Sequence, residues 1–132
     1  MNIKELSVGD WVMYRNREWQ VCSLYQFTGE VGLWRKDSQI CENVADLTPI
    51  PLTPEILEKN GFTICNGCTS RWELEYRAYW VKVTAPDDYS DVTIYKKVAH
   101  GYRRIMDAVE ITSVPELQHA LRLAGIEKEI EL

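Results

Sequence analysis

The sequence predicts an α+β fold: an N-terminal SH3-like small β-barrel, then an antiparallel sheet packed by a C-terminal helix. Three observations predict it. Residues 8–47 are short β-favouring runs cut by tight polar turns. A proline-rich strap around Pro49, Pro51 and Pro54 separates them from a second β-rich stretch. A capped amphipathic pattern then begins at Ser113. The expected division is a barrel subdomain over 1–50, a strap and short helix over 51–62, and a sheet with its helix over 63–132.

In the first part, Val8-Gly9-Asp10 turns into Asp10–Tyr14, and Arg15-Asn16-Arg17 joins that run to Glu18–Phe27. Strand side chains alternate, so Trp19, Val21, Ser23, Tyr25 and Phe27 are expected on one face. Thr28-Gly29-Glu30 leads into Val31–Arg35, Lys36-Asp37-Ser38 is a polar turn, and Gln39–Cys41 with Asn43–Leu47 completes about five strands. Short strands with tight turns suit a barrel that removes its own edges by closing.

In the strap, Pro49 and Pro51 each remove a backbone donor and push the preceding residue into an extended form. Thr53-Pro54 is a helix start, with a hydroxyl cap and proline in the first turn. Asn60-Gly61 is the stop, and Phe62 is placed to fold back on Leu57.

Arg71–Thr84 carries the longest strand signal, with Trp72, Leu74, Tyr76, Ala78 and Trp80 alternating with polar residues. The apolar parity switches at Val81, which predicts a bulge or change of partner near Trp80. An acidic loop over 85–91, a strand Val92–Val98, a turn at Ala99-His100-Gly101 and a strand Tyr102–Ile111 extend the sheet as a meander. Ser113-Val114-Pro115-Glu116 fits a capping box. Val114, Leu117, Ala120, Leu121 and Ala124 then share a helix face, and Gly125 is the stop. Glu127–Leu132 reads as an acidic fringe with the alternation of a short terminal strand.

The composition, 45% hydrophobic and 27% charged, is that of an ordered globular protein. No apolar run reaches the roughly 20 residues that span a bilayer. The first residues lack the apolar core of a signal peptide, so a cytoplasmic protein is expected. The net charge of −5 opposes binding to DNA or an anionic membrane.

Several motifs resolve to ordinary readings. Cys65-Asn66-Gly67-Cys68 is half of a zinc site or a redox pair, but no second CxxC exists, and free thiols beside an Asn-Gly turn are expected. Glu116-Leu117-Gln118-His119 is half of a di-iron motif in a chain without the required bundle. Neither His100 nor His119 sits in a nucleophile–base pattern, and there is no phosphate loop. The expectation is a protein without catalytic residues, metal or cofactor.

The combination of Val8-Gly9-Asp10-Trp11-Val12, the Pro49–Phe62 strap and Val114-Pro115-Glu116-Leu117-Gln118-His119-Ala120-Leu121 resembles an uncharacterised family of small proteins from gut anaerobic bacteria and their phages and prophages. The resemblance implies a cytoplasmic protein of a mobile element. Such elements often encode small proteins that neutralise host factors, including nucleotide signals of antiviral defence.

The charge distribution points to a site. Lys96, Lys97, Arg103 and Arg104 give residues 95–104 a charge of +4, leaving −9 on the rest. Across the Ala99-His100-Gly101 turn they are expected to offer about two cations per sheet face beside Tyr95 or Tyr102, with Trp72 and Trp80 as further stacking groups. Cations edged by aromatic rings suit a phosphate and a stacked base. The alternative is a solvated hairpin whose cations pair with Asp87, Asp88 and Asp91. A binding protein for a small anionic, nucleotide-like ligand is therefore expected, alternatively an adaptor for a host protein, with a homodimer that completes a pocket or covers a sheet edge.

Overall fold

A computed structural model of the chain describes residues 1–64, 71–84 and 90–132. The chain forms two compact units, Met1–Pro51 and Leu52–Leu132. It is mostly β, with one antiparallel sheet in each unit and a helix near the C-terminus. Among the described residues no helix is long and apolar enough to cross a membrane.

The first unit contains β1 (Trp11–Tyr14), β2 (Arg17–Tyr25), β3 (Glu30–Arg35), β4 (Ser38–Asn43) and β5 (Thr48–Pro49), in the order β4-β3-β2-β1-β5. Arg15 and Asn16 both take positive φ between β1 and β2, the primed turn whose twist matches the strands it joins. Val12, Val21, Val31, Leu33 and Leu47 form the centre of the core, with Tyr14 and Trp19 around them. Pro49 pairs with Val12 at the edge of the sheet, where a missing donor is tolerated.

Two strand expectations for this unit are corrected. No strand covers residues 44–47: β4 runs on through Asn43, and Val44–Asp46 is a 3₁₀ turn, opened by the Asn43 side chain accepting from the Ala45 amide. The single face expected over Trp19–Phe27 also breaks. Val21 pairs with Leu33 but Ser23 pairs with Gly32, so Cys22 is the extra residue of a bulge. Beyond it Leu24 joins the core, while Tyr25 is exposed. Gly32 is dictated by the same bulge, because a Cβ there would lie 2.0 Å from Ser23 Oγ.

The second unit carries β6 (Thr63–Ile64), β7 (Arg71–Tyr76), β8 (Tyr79–Thr84), β9 (Ser90–Val98) and β10 (Gly101–Ile111), ordered β10-β9-β8-β7-β6. The parity switch near Trp80 has a different cause from the one expected. The run over 71–84 is two strands, joined by a turn in which Arg77 takes a φ of 53°. Trp72, Leu74, Val81, Val83, Val92 and Ile94 lie in register on one face and are buried.

Two helices belong to this unit: α1 (Pro54–Lys59) and α2 (Val114–Leu123). Both end alike. Gly61 and Gly125 take the left-handed conformation, and the amides of Phe62 and Ile126 donate to the carbonyls of Leu57 and Leu121. Phe62 and Ile126 are thereby turned inward and buried. Ser113 caps α2 by accepting from the Glu116 amide, and the Glu116 carboxylate accepts from the Ser113 and Thr112 hydroxyls.

The terminal segment is not a fringe. Ile130 is buried, and two side-chain amides hold the backbone around it. Gln118 donates to the Lys128 carbonyl and accepts from the Ile130 amide. Asn60, the C-cap of α1, donates to the carbonyls of Glu131 and Ile56 and accepts from the Glu131 amide, each at 2.7 Å. Buried polar side chains need such partners, and here they take the place a neighbouring strand would fill.

Candidate functional site: an aromatic and cationic sheet face

The apolar face of the second sheet is consumed by the core, so its other face decides what the unit can bind. Strand alternation puts Trp80 and Lys82 of β8 there, opposite Tyr95 and Thr93 of β9. Tyr95 is in turn opposite Arg104 of β10, and Lys97 is opposite Tyr102. The result is a cluster of three rings. Trp80 lies 5.0 Å from Tyr95 and 5.4 Å from Tyr102 between ring centres, tilted by 31° and 55°. Lys82 Nζ sits 4.2 Å from the centre of the Trp80 ring and 5.3 Å from that of Tyr95. Trp80, Tyr95 and Lys82 are half-buried and Tyr102 is exposed.

The structure thus brings together Trp80, Lys97, Tyr102 and Arg104 and separates the other expected residues from them. Trp72 is a correction. It pairs with Val83 on the core face and is only 6% exposed, so it anchors the sheet and is closed to a stacking ligand. Lys96 and Arg103 face each other on the side of Tyr79, away from the ring cluster. Lys96 lies 5.9 Å from the centre of the Tyr79 ring. Lys82 is the residue that sequence reasoning passed over; its signal was the two-residue spacing from Trp80.

Arg104 is partly engaged, 3.4 Å from Asp107 in an exposed pair. Such a pair is worth little and is readily exchanged for another partner. The expected pairings with Asp87 and Asp88, and the Cys65–Cys68 motif, fall on residues outside those described. Asp91 is spent otherwise, accepting from the Glu110 amide. Among the described residues no three His, Cys, Asp or Glu side chains are grouped to hold a metal ion.

The first unit offers different surfaces. Trp11, Gln20 and Trp34 lie in one cross-strand row on the outer face of its sheet. With Glu18, Arg35 and Lys36 they line an open cleft of about 380 Å³. Phe27 is fully exposed at the turn after β2, beside a shallow hollow of about 560 Å³ lined also by Leu24 and Tyr25.

Two groups in this unit have displaced acidities. Loss of hydration, then the Glu30 carboxylate 3.5 Å from its sulfur, holds the Cys41 thiol above its ordinary value. Tyr14 is raised by its desolvation and by its hydrogen bond to Glu42. Both shifts keep the groups neutral, which disfavours a nucleophilic role for Cys41. No protein-family model, curated protein or solved structure matches the chain.

Proposed function

We propose that the chain is a non-catalytic binding protein that holds a small anionic, nucleotide-like ligand on the open face of its second sheet. One observation carries the reading: three aromatic rings and the cations Lys82, Lys97 and Arg104 share a face that the core does not use. A base stacks on the exposed side of the Trp80 and Tyr102 rings, and the phosphate is met by Lys97 and Arg104. In the mobile-element setting implied by the resemblance, such a protein sequesters a host nucleotide signal. The first unit is proposed as an SH3-like barrel, supported by its strand order and by the 3₁₀ turn ahead of β5.

The test is thermal melting with AMP, ATP, cyclic di-AMP and inorganic phosphate. A nucleotide present at about 100 times its Kd adds roughly 2.7 kcal/mol to the folded state and raises the melting temperature by several degrees. The shift should vanish in Trp80→Ala and weaken in Arg104→Ala. No shift with any nucleotide, or the same shift in Trp80→Ala, overturns the proposal.

A second reading, an adaptor for a host protein, is favoured by the Trp11–Gln20–Trp34 cleft. Its two indoles are of the kind that anchor protein interfaces. Recovery of one stoichiometric host protein that Trp34→Ala fails to retain would support it.

A further inference from the structure

We propose that two copies of the chain join along the outer rim of β10, antiparallel, with Arg104 of each opposite Asp107 of the other. β10 ends the strand order of its sheet and is the longest described strand. A long unpaired rim is a template for another strand. This one also carries apolar groups in solvent: Tyr102 is 43% exposed, Ile105 42% and Val109 68%.

The charges along the rim select the occupant. Its first half carries Arg103 and Arg104, and its second half carries Asp107 and Glu110. A parallel neighbour of the same sequence would set like charges side by side, which is unfavourable. A twofold axis reverses the direction and sets the basic half of each copy against the acidic half of the other. The surface is complementary to itself.

The bulge in β10 makes the match work face by face. In a regular strand, residues three apart point to opposite sides. Here the pairing jumps from Arg104–Tyr95 to Met106–Ile94, so Ile105 is inserted and Asp107 lands opposite Thr93. Arg104 and Asp107 therefore share the open face, as their 3.4 Å contact requires. With the twofold axis between Ile105 and Met106, Arg104 meets Asp107 of the second copy, Tyr102 meets Val109, and Arg103 meets Ala108, each pair on a common face. Without the inserted residue each of these pairs would be split across the sheet. Glu110, with a φ of 57° beside a second register shift, ends the stretch that can pair.

The joined sheet would place the Trp80–Tyr95–Tyr102 cluster of each copy on one continuous surface. The proposal nevertheless stands without the ligand reading, since it uses the backbone rim and its charges alone.

Sedimentation equilibrium of the full chain, from low to high micromolar concentration, tests it. The wild type should be a dimer whose dissociation constant rises with salt. Arg104→Asp and Asp107→Arg, each setting like charges opposite, should weaken the dimer by roughly tenfold or more. The double exchange Arg104→Asp/Asp107→Arg should restore it. Val109→Lys, at the same rim but outside the charge pair, should also weaken it, and circular dichroism shows whether each variant keeps its fold. A wild type that stays monomeric overturns the proposal, as does a dimer indifferent to both single reversals, or a double exchange that folds but fails to recover association.

Discussion

Trp72 and Trp80 stand on opposite faces of one sheet, the first against Val83 over the core and the second against Tyr95 in the open. Their replacements should therefore fail in opposite ways. Trp72→Ala empties a buried site and should cost about 3–5 kcal/mol in denaturant unfolding. Trp80→Ala removes ring contacts and a cation–π contact worth about 0.5–1.5 kcal/mol each, so it should lower stability modestly and abolish nucleotide-dependent melting shifts.

Gly32 should not accept even a methyl group. An added Cβ would sit 2.0 Å from Ser23 Oγ and 3.2 Å from Cys22 Sγ, so Gly32→Ala should destabilise the first unit by about 1–3 kcal/mol. Removing the hydroxyl in Gly32→Ala/Ser23→Ala should recover part of that loss. Equal stability of the single and double variants in chemical denaturation would place the strain elsewhere.

Asn60 joins α1 to the terminal segment through part-buried hydrogen bonds to Ile56 and Glu131. Asn60→Ala leaves the Glu131 amide and carbonyl without this partner, while the Ile56 carbonyl keeps the residue 60 amide, and should cost about 2–4 kcal/mol. Limited proteolysis should cut the residues after Gly125 in this variant well before it cuts them in the wild type.

The lowered Cys41 and Tyr14 acidities give the first unit an alkaline limit. Both groups bind their protons more tightly when folded. The stability this contributes is whole below their unfolded values and is lost as pH climbs through the folded ones. Melting of the first unit should fall beyond about pH 9, through Cys41 and then Tyr14, and the fall should shrink in Cys41→Ser/Tyr14→Phe. Alkylation of Cys41 near pH 8 should be slower than that of a free thiol and faster in Glu30→Gln.

Local chemistry was legible in the sequence, and pairing was not. Thr53-Pro54, Asn60-Gly61, Ser113 and Gly125 announced both helices, because caps and stops are written in adjacent residues. The basic hairpin and its division between two faces also followed from alternation alone. What escaped depends on a neighbouring strand. Cys22 is a bulge residue because of Gly32, and Arg77 turns the chain where a strand pattern runs on unbroken. Trp72 and Trp80 share a parity in the sequence, and only the intervening turn assigns them to different faces. The bonds of Asn60 and Gln118 to the terminal segment gave no signal, since a buried amide is recognised by the distant backbone it satisfies.

The clamp on Glu131 also sets an order of events during synthesis. Its partner on α1 lies 71 positions earlier, so that hydrogen-bonded ring cannot close until long after the helix has left the ribosome. The strands of both units pair mostly with their immediate neighbours and can meet as they emerge. The nascent chain thus assembles its sheets strand by strand and fastens the end of α1 to the terminal segment last.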